Sequence, residues 1–390
     1  MPVICLYFQL HQPERLRHYD FIQIGNQHDY FDDESNAFFL RQVVQNSYSP
    51  ALDLFIKLKK KYKGKFKLAF SATGTVLNQL ERWEPAVLKK FKQLTDLGGV
   101  EWLNETETHG LSSIYHRTEF ESQIKAHEAR IVRLFGCKPT VFRNTELLFS
   151  NDLVNDLARW GYTRILVPST EKLLGQKSPN HVYKSPLHNR MLCLPKNSTL
   201  TAEITRWFTE ASHPNYPLTT TKFLDLMKAE AGAETINLFM DLERIGEHQD
   251  SKSGIFDFFE HFPEAAIKAG LEFLTPSEVF DTLTPVGKYD VPSPVTWSFP
   301  TYDLSYINGS DIQQEAITRL YDLAEWVYAK GDAQLLEDWR KLQSTDHFFY
   351  MTPRFEEKGE KNIFSPFPSA YDAYNNYMNI MVDMELRAKR

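Results

Sequence analysis

Ionisable residues collect where apolar, β-favouring runs stop. "VICLYFQL" ends at His11 and Gln12, "PTVFRN" leads to Glu146, and "TINLFM" delivers Asp241 and Glu243. The stretch "GVEWLNETETHG" adds Glu101, Glu105, Glu107 and His109. Strand side chains alternate, so Asp241 and Glu243 are expected on one face with Leu242 on the other. Pro13 forces the first run out of its strand. Carboxylates from several strand ends, beside a histidine and aromatics, are the raw material for cleaving glycosidic bonds. That reaction needs two carboxyl groups flanking the anomeric carbon, one ionised and one protonated. Crowding raises the pKa of one member and leaves the other charged. A single polar strand end is what any α/β protein shows on reaching solvent; at least four ending alike argue for a shared mouth.

Other chemistries lack their residues. There is no HExxH and no histidine pair at helical ligand spacing, and the 12 histidines are scattered. Glu247 and His248 are adjacent, so on a strand they point apart. No metal site is predicted. No GxSxG elbow, no Gly-rich dinucleotide fingerprint after the first strand and no phosphate-cradling loop occurs.

Seven β-rich runs recur: the four above with "FKLAFS", "YTRILVPS" and "RMLCLPKN", and "LEFLTPS" is a short possible eighth. "SPALDLFIKLKKKYKG", "EPAVLKKFKQLTDLGG" and "EFESQIKAHEARIVRLFG" carry helix-period patterns, each closed by Gly. Alternating strand and helix predicts parallel βαβ units, in a barrel or an open doubly wound sheet. The missing nucleotide fingerprint favours the barrel, whose active site lies at the C-terminal ends of its strands. After residue 285 a Pro- and Tyr-rich connector leads into helical stretches, so residues 1–285 are expected to form the barrel and 286–390 a helical region packed on it. Trp83, Trp326 and Trp339 sit in helix-like patterns and are expected in the core.

The formal net charge of −7 and pI near 6.0 argue against nucleic acid or an anionic membrane as partner. No run approaches the roughly 18 apolar residues of a membrane span. Three distant cysteines, Cys5, Cys137 and Cys193, read as reduced core residues. The start reads as the first core strand of a cytoplasmic protein, without a basic leader or cleavage site. Nothing speaks to oligomeric state.

With these residues in hand, the chain resembles glycoside hydrolase family 57, and within it the α-amylase group. "HQP", "GVEWLNETETHGL", "VFRNTELLFSN", "LFMDLERIGEHQ" and "LTPSEVF" resemble its five signatures in order, and "LQSTDHFFYM" and "SAYDAYNNYMN" its C-terminal ones. The resemblance implies an incomplete (β/α)7 barrel followed by a helical domain that closes the cleft. It implies Glu146 as nucleophile and Asp241 as general acid/base of a retaining reaction on α-1,4 bonds of glycogen, starch or maltodextrins. The two carboxyl groups would then lie roughly 5 Å apart. His11, Glu101 and Glu243 match positions that hold the sugar, Asp346 and Phe349 resemble the part reaching into the cleft, and neither metal nor organic cofactor is implied. His109 either lines the cleft or caps its loop.

Two departures stand out. Leu242 replaces the group's usual aromatic, and Arg244 follows three residues after the proposed acid. An arginine beside Asp241 would favour its carboxylate form; the expected arrangement is Arg244 turned away toward Glu247 or another surface acid. Besides hydrolysis, three readings stay open: a 4-α-glucanotransferase on the same site, a non-catalytic amylase-like carbohydrate-binding protein, and a metal-dependent polysaccharide deacetylase using His11, Asp241 and His248.

Overall fold

The computed structural model describes residues 1–390. Its central strand, β1 (Val3–Leu10), is buried along nearly its whole length, as an apolar run covered on both faces must be. β2 (Leu68–Ala72) and β7 (Thr235–Asp241) flank β1, and β3 (Val100–Trp102) lies beyond β2. All pair in parallel. A second sheet pairs β4 (Arg164–Val167) in parallel with β6 (Leu192–Pro195), with the two-residue β5 (Tyr183–Lys184) antiparallel on β6. The molecule is thus an α/β protein with parallel sheets under many helices.

Two expected strands are reduced to single bridges. In "PTVFRN" only Phe142 pairs, to Asn104 on one side and Ile165 on the other. Pro139 cannot donate to a ladder, and the residues that follow turn into the left-handed conformation at Glu146 and Leu147. In "LEFLTPS" only Phe273 pairs, with Ile4. The Phe142 bridge nevertheless joins the two sheets at one margin. Asn237 joins them at the other: the Asn197 N–H donates to its carbonyl at 2.9 Å, and its side-chain amide donates to the Pro195 carbonyl at 2.8 Å.

The predicted helices form at Ser49–Tyr62, Pro85–Asp96 and Arg117–Phe135. Gly136 closes the last in the left-handed conformation, as predicted. Gly64 does not play that part, because Lys63 takes the positive φ one residue earlier. The C-terminal helices, among them Asp311–Asp322 and Ala370–Lys389, build a core of their own that takes in Leu16, Tyr19, Leu111 and Leu148. Trp339 is buried there and Trp83 packs at the margin of the main core. Trp326 is not in the core: it is 51% exposed, since its helix packs through Ala324 and Val327. Cys5, Cys137 and Cys193 are free thiols. No helix is long and apolar enough to cross a membrane.

The segment after residue 285 first runs along the strands. The Tyr289 N–H donates to the Lys184 carbonyl, Val295 pairs with Phe149, and the Trp297 N–H reaches the Glu146 carbonyl at 3.1 Å. This places Trp297 and Ser298 at the strand ends before the chain enters the helices.

Asn237 is fully buried and also accepts the Thr235 hydroxyl. Asn237→Ala strands the Pro195 carbonyl and Thr235, and should cost about 1–3 kcal/mol, read as a lower midpoint in urea unfolding. An unchanged midpoint would show that the margin does not depend on it.

Candidate active site

The C-terminal ends of β1, β6 and β7 open into a cleft of about 650 Å³. His11, His109, Glu146, Asp241, Glu243, Asp346 and Phe349 all line it, so residues 335 positions apart in sequence share one wall. Glu101 does not reach it. It lies within β3 opposite Ala69, and its carboxylate accepts the Ser277 N–H and hydroxyl, both at 2.9 Å. The register of β3 thus spends this carboxylate on a helix start, where unpaired N–H groups attract an anion. Glu105 and Glu107 are likewise taken by Arg143 at 3.0 Å and by Arg130 at 2.7 Å.

Glu146 sits on a backbone turn with φ 53° and ψ 25°. That region is sparsely populated for any residue but glycine, and such strain concentrates at functional sites. The turn aims the carboxylate at three donors. His109 Nε2 lies 3.0 Å from Oε1, while Trp297 Nε1 and the Ser298 hydroxyl donate to Oε2 at 3.0 and 2.9 Å. Burial pushes the carboxyl up, but these donors and the nearby Arg143 guanidinium outweigh it and hold Glu146 well below the ordinary carboxylate range.

The donor role of His109 is set from behind. Fully buried Arg143 donates to Gln9 Oε1, which leaves the Gln9 amide nitrogen facing His109 Nδ1 at 3.4 Å. An imidazole whose Nδ1 accepts carries its proton on Nε2, the atom facing Glu146. Burial and the adjacent His11 push the His109 pKa down, so at neutral pH it is a neutral donor. His11 stacks on it at 4.1 Å between centroids. Burial pushes His11 down too, but Asp346, 2.8 Å from its Nε2, outweighs this and raises it. The stacked rings thus divide the work: Asp346 favours the charged form of His11, and burial favours the neutral form of His109 that serves Glu146.

Across the cleft, β7 ends at Asp241 opposite Gln9. The turn Leu242–Arg244 then buries Leu242 in the core and returns Glu243 to the cleft. Tyr48 donates to Glu243. Burial first, then Asp241, pushes the Glu243 carboxyl up to about 7. Arg244 does not pair with Glu247, which accepts from Asn46 at 3.0 Å instead. Its Nε lies 3.7 Å from Asp241 Oδ2 and its Nη1 donates to the Thr205 carbonyl at 3.4 Å. The loop bends tightly enough at Gly246 (φ 100°) that a Cβ there would stand 2.0 Å from the Asn46 carbonyl oxygen, which turns Glu247 toward Asn46 and leaves Arg244 on the cleft side.

Lys196, Arg206, Trp297, Ser298 and Tyr306 also line the cleft and were not singled out from sequence. Lys196 follows β6 directly, the same polar-end signal that marked the others, whereas Trp297 and Ser298 sit in a connector whose path no local pattern reveals. His11, Asp241 and His248 do not form a metal-holding group, and no three His, Cys, Asp or Glu side chains do elsewhere, so a metal-dependent deacetylase lacks its ligand set.

Glu146 and Asp241 thus line one cleft at the strand ends of an α/β protein. Residues 5–292 match the family model Glycosyl hydrolase family 57. The chain is 32% identical over 402 residues to the "Putative alpha-amylase" of Methanocaldococcus jannaschii, covering 99% of this chain and 85% of that protein. Its fold is similar to the family 57-type branching enzyme of Pyrococcus horikoshii, with TM-score 0.70 and 15% identity over 97% of this chain and 94% of that one. It is also similar to the α-amylase AmyC of Thermotoga maritima, with TM-score 0.63 and 15% identity over 97% and 91%. The chain belongs to glycosyl hydrolase family 57 and is a glycoside hydrolase of amylase-related type.

Glu243 makes a pH prediction. A carboxyl raised on folding binds more protons in the native state, so stability falls as pH rises from about 4.5 through about 7. Urea midpoints should drop across that window for the wild type, by at most about 3 kcal/mol, and stay flatter for Glu243→Gln. Parallel profiles would contradict the assignment.

Proposed function

We propose that the protein cleaves α-1,4 bonds of glycogen, starch or maltodextrin with retention, through a glycosyl-enzyme intermediate on Glu146. The carrying observation is the ionised, three-donor Glu146 carboxylate facing the same cleft as Asp241. A nucleophile must be charged and aimed, and the His109, Trp297 and Ser298 contacts supply both. Asp241, partly open to solvent, gives its proton to the departing glycosidic oxygen and then takes one from the incoming water. His11 with Asp346, together with Glu243 and Phe349, orients the sugar, and no step calls on a metal or organic cofactor.

We read the two sheets and the Phe142 bridge as the incomplete (β/α)7 barrel of residues 1–285, with residues 286–390 closing the cleft. The placement of Asp346 and Phe349 in the lining supports that division. The free thiols favour a cytoplasmic location. The presence of both carboxylates weighs against a non-catalytic binding protein. A 4-α-glucanotransferase would share the intermediate and differ only in the acceptor.

Chromatography of maltoheptaose and glycogen digests tests this reading. The wild type should yield new maltooligosaccharides, shorter only for a hydrolase and also longer for a transferase. Glu146→Gln and Asp241→Asn should each lower the rate by at least about a thousandfold, the scale of losing a nucleophile or general acid. Unchanged rates in either variant would remove the role assigned to that residue.

A further inference from the structure

One wall of the cleft carries positive charge that the reaction above does not use. Lys196 follows β6, Arg206 follows the helix Ser198–Thr205, and Arg244 stands in the turn after β7; all three line the cleft beside Asp241. Lys196 Nζ lies 4.6 Å from the Trp297 ring centre and makes no side-chain hydrogen bond or ion pair. The Arg206 guanidinium lies 3.5 Å from the Phe299 ring centre and has no carboxylate at ion-pair distance. Arg244 has one carboxylate, Asp241 at 3.7 Å, besides the Thr205 carbonyl. His248 adds a fourth nitrogen base to the same wall.

The nearby acids have other hydrogen-bond partners but keep their charge, and Glu243 is held by Tyr48. Glu146 is held by His109, Trp297 and Ser298, Glu203 lies 3.5 Å from His213, and Glu247 accepts from Asn46. Three cations thus share this wall with two acids acting on Lys196, Asp241 and Glu146, and outnumber them. Burial pushes the Lys196 pKa down to about 8; Asp241 and, more weakly, Glu146 oppose the fall, and Arg244 and Arg206 add to it. An excess of like charge in a cleft is repulsive, and an anion bound among the cations lowers that cost. Neutral sugar hydroxyls do not. Arginine forks match the planar or tetrahedral oxygens of carboxylate and phosphate.

We propose that the Lys196, Arg206 and Arg244 wall binds an anionic substituent, a phosphate monoester or a carboxylate, on the sugar lying against Asp241, so that the preferred substrate is an anionic rather than a neutral α-glucan. This rests on the glucan-cleaving reading above and narrows its substrate class. It also gives Arg244 a purpose: with an anion in place, its guanidinium has a second partner beside Asp241.

The test uses the full chain carrying Glu146→Gln, titrated calorimetrically with maltotetraose, with maltotetraose phosphorylated at a C6 oxygen, with its C6-oxidised carboxylate form, and with inorganic phosphate. At low salt at least one anionic sugar should bind about tenfold or more tightly than the neutral one, and the gain should shrink as salt rises. The phosphate and carboxylate arms show which group is read. Adding Arg206→Gln, an exposed position, should remove most of the gain, read as the ratio of anionic to neutral affinity within that variant. Equal or weaker binding of both anionic sugars overturns the proposal, as does inorganic phosphate binding as tightly as the phosphorylated sugar. If wild type cleaves neutral maltoheptaose and shows no anionic preference, only this inference falls. If it neither binds nor cleaves any glucan, the glucan reading falls with it.

Discussion

A desolvated carboxylate that must stay ionised organises this molecule. Burial alone would protonate Glu146; three donors and a buried guanidinium prevent it. Those partners come from three parts of the chain: the loop after β3, Arg143 three residues before Glu146, and the connector after residue 285. Each segment must be held to within hydrogen-bond tolerance, or the burial penalty returns. The strained backbone at Glu146 and Leu147 is sustained by the same set of contacts.

The line Arg143, Gln9, His109, Glu146 shows how a buried polar network specifies more than stability. Each member fixes the next one's hydrogen-bonding sense, so the proton on His109 ends up facing the Glu146 carboxylate. Gln9 is also the register partner of Asp241 on β7. Parallel pairing between β1 and β7 therefore ties the position of the proposed acid to the orientation of the proposed nucleophile. A shift of register by one residue would turn Gln9 and Asp241 to opposite faces and break both at once.

Much of this was legible beforehand because strand ends announce themselves: an apolar run that stops at His11, Glu146 or Asp241 marks both an element and its mouth. Family resemblance then supplied Asp346 and Phe349, which local pattern could not link to residues more than 300 positions away. Glu101 was misplaced because a carboxylate inside a strand gives no sign of which partner its register offers, here Ser277. Arg244 was expected to turn outward because nothing in "RIGEHQ" reveals how close Gly246 passes to Asn46. Trp297 and Ser298 stayed hidden in a Pro-rich connector, since their role depends on where that connector runs. The Phe142 segment read as a strand and forms a single bridge, because propensity does not see the turn that follows.

The central claim is that Glu146 attacks the anomeric carbon. Intact-protein mass spectrometry after incubation with 5-fluoro-α-glucosyl fluoride, whose electron-poor ring slows release of the sugar from the enzyme, tests it most directly. The account predicts one glycosyl adduct on the wild type, mapped by peptide fragmentation to Glu146 and absent from Glu146→Gln. An adduct on another carboxylate, or turnover of the fluoride to the inverted sugar without any adduct, would contradict it.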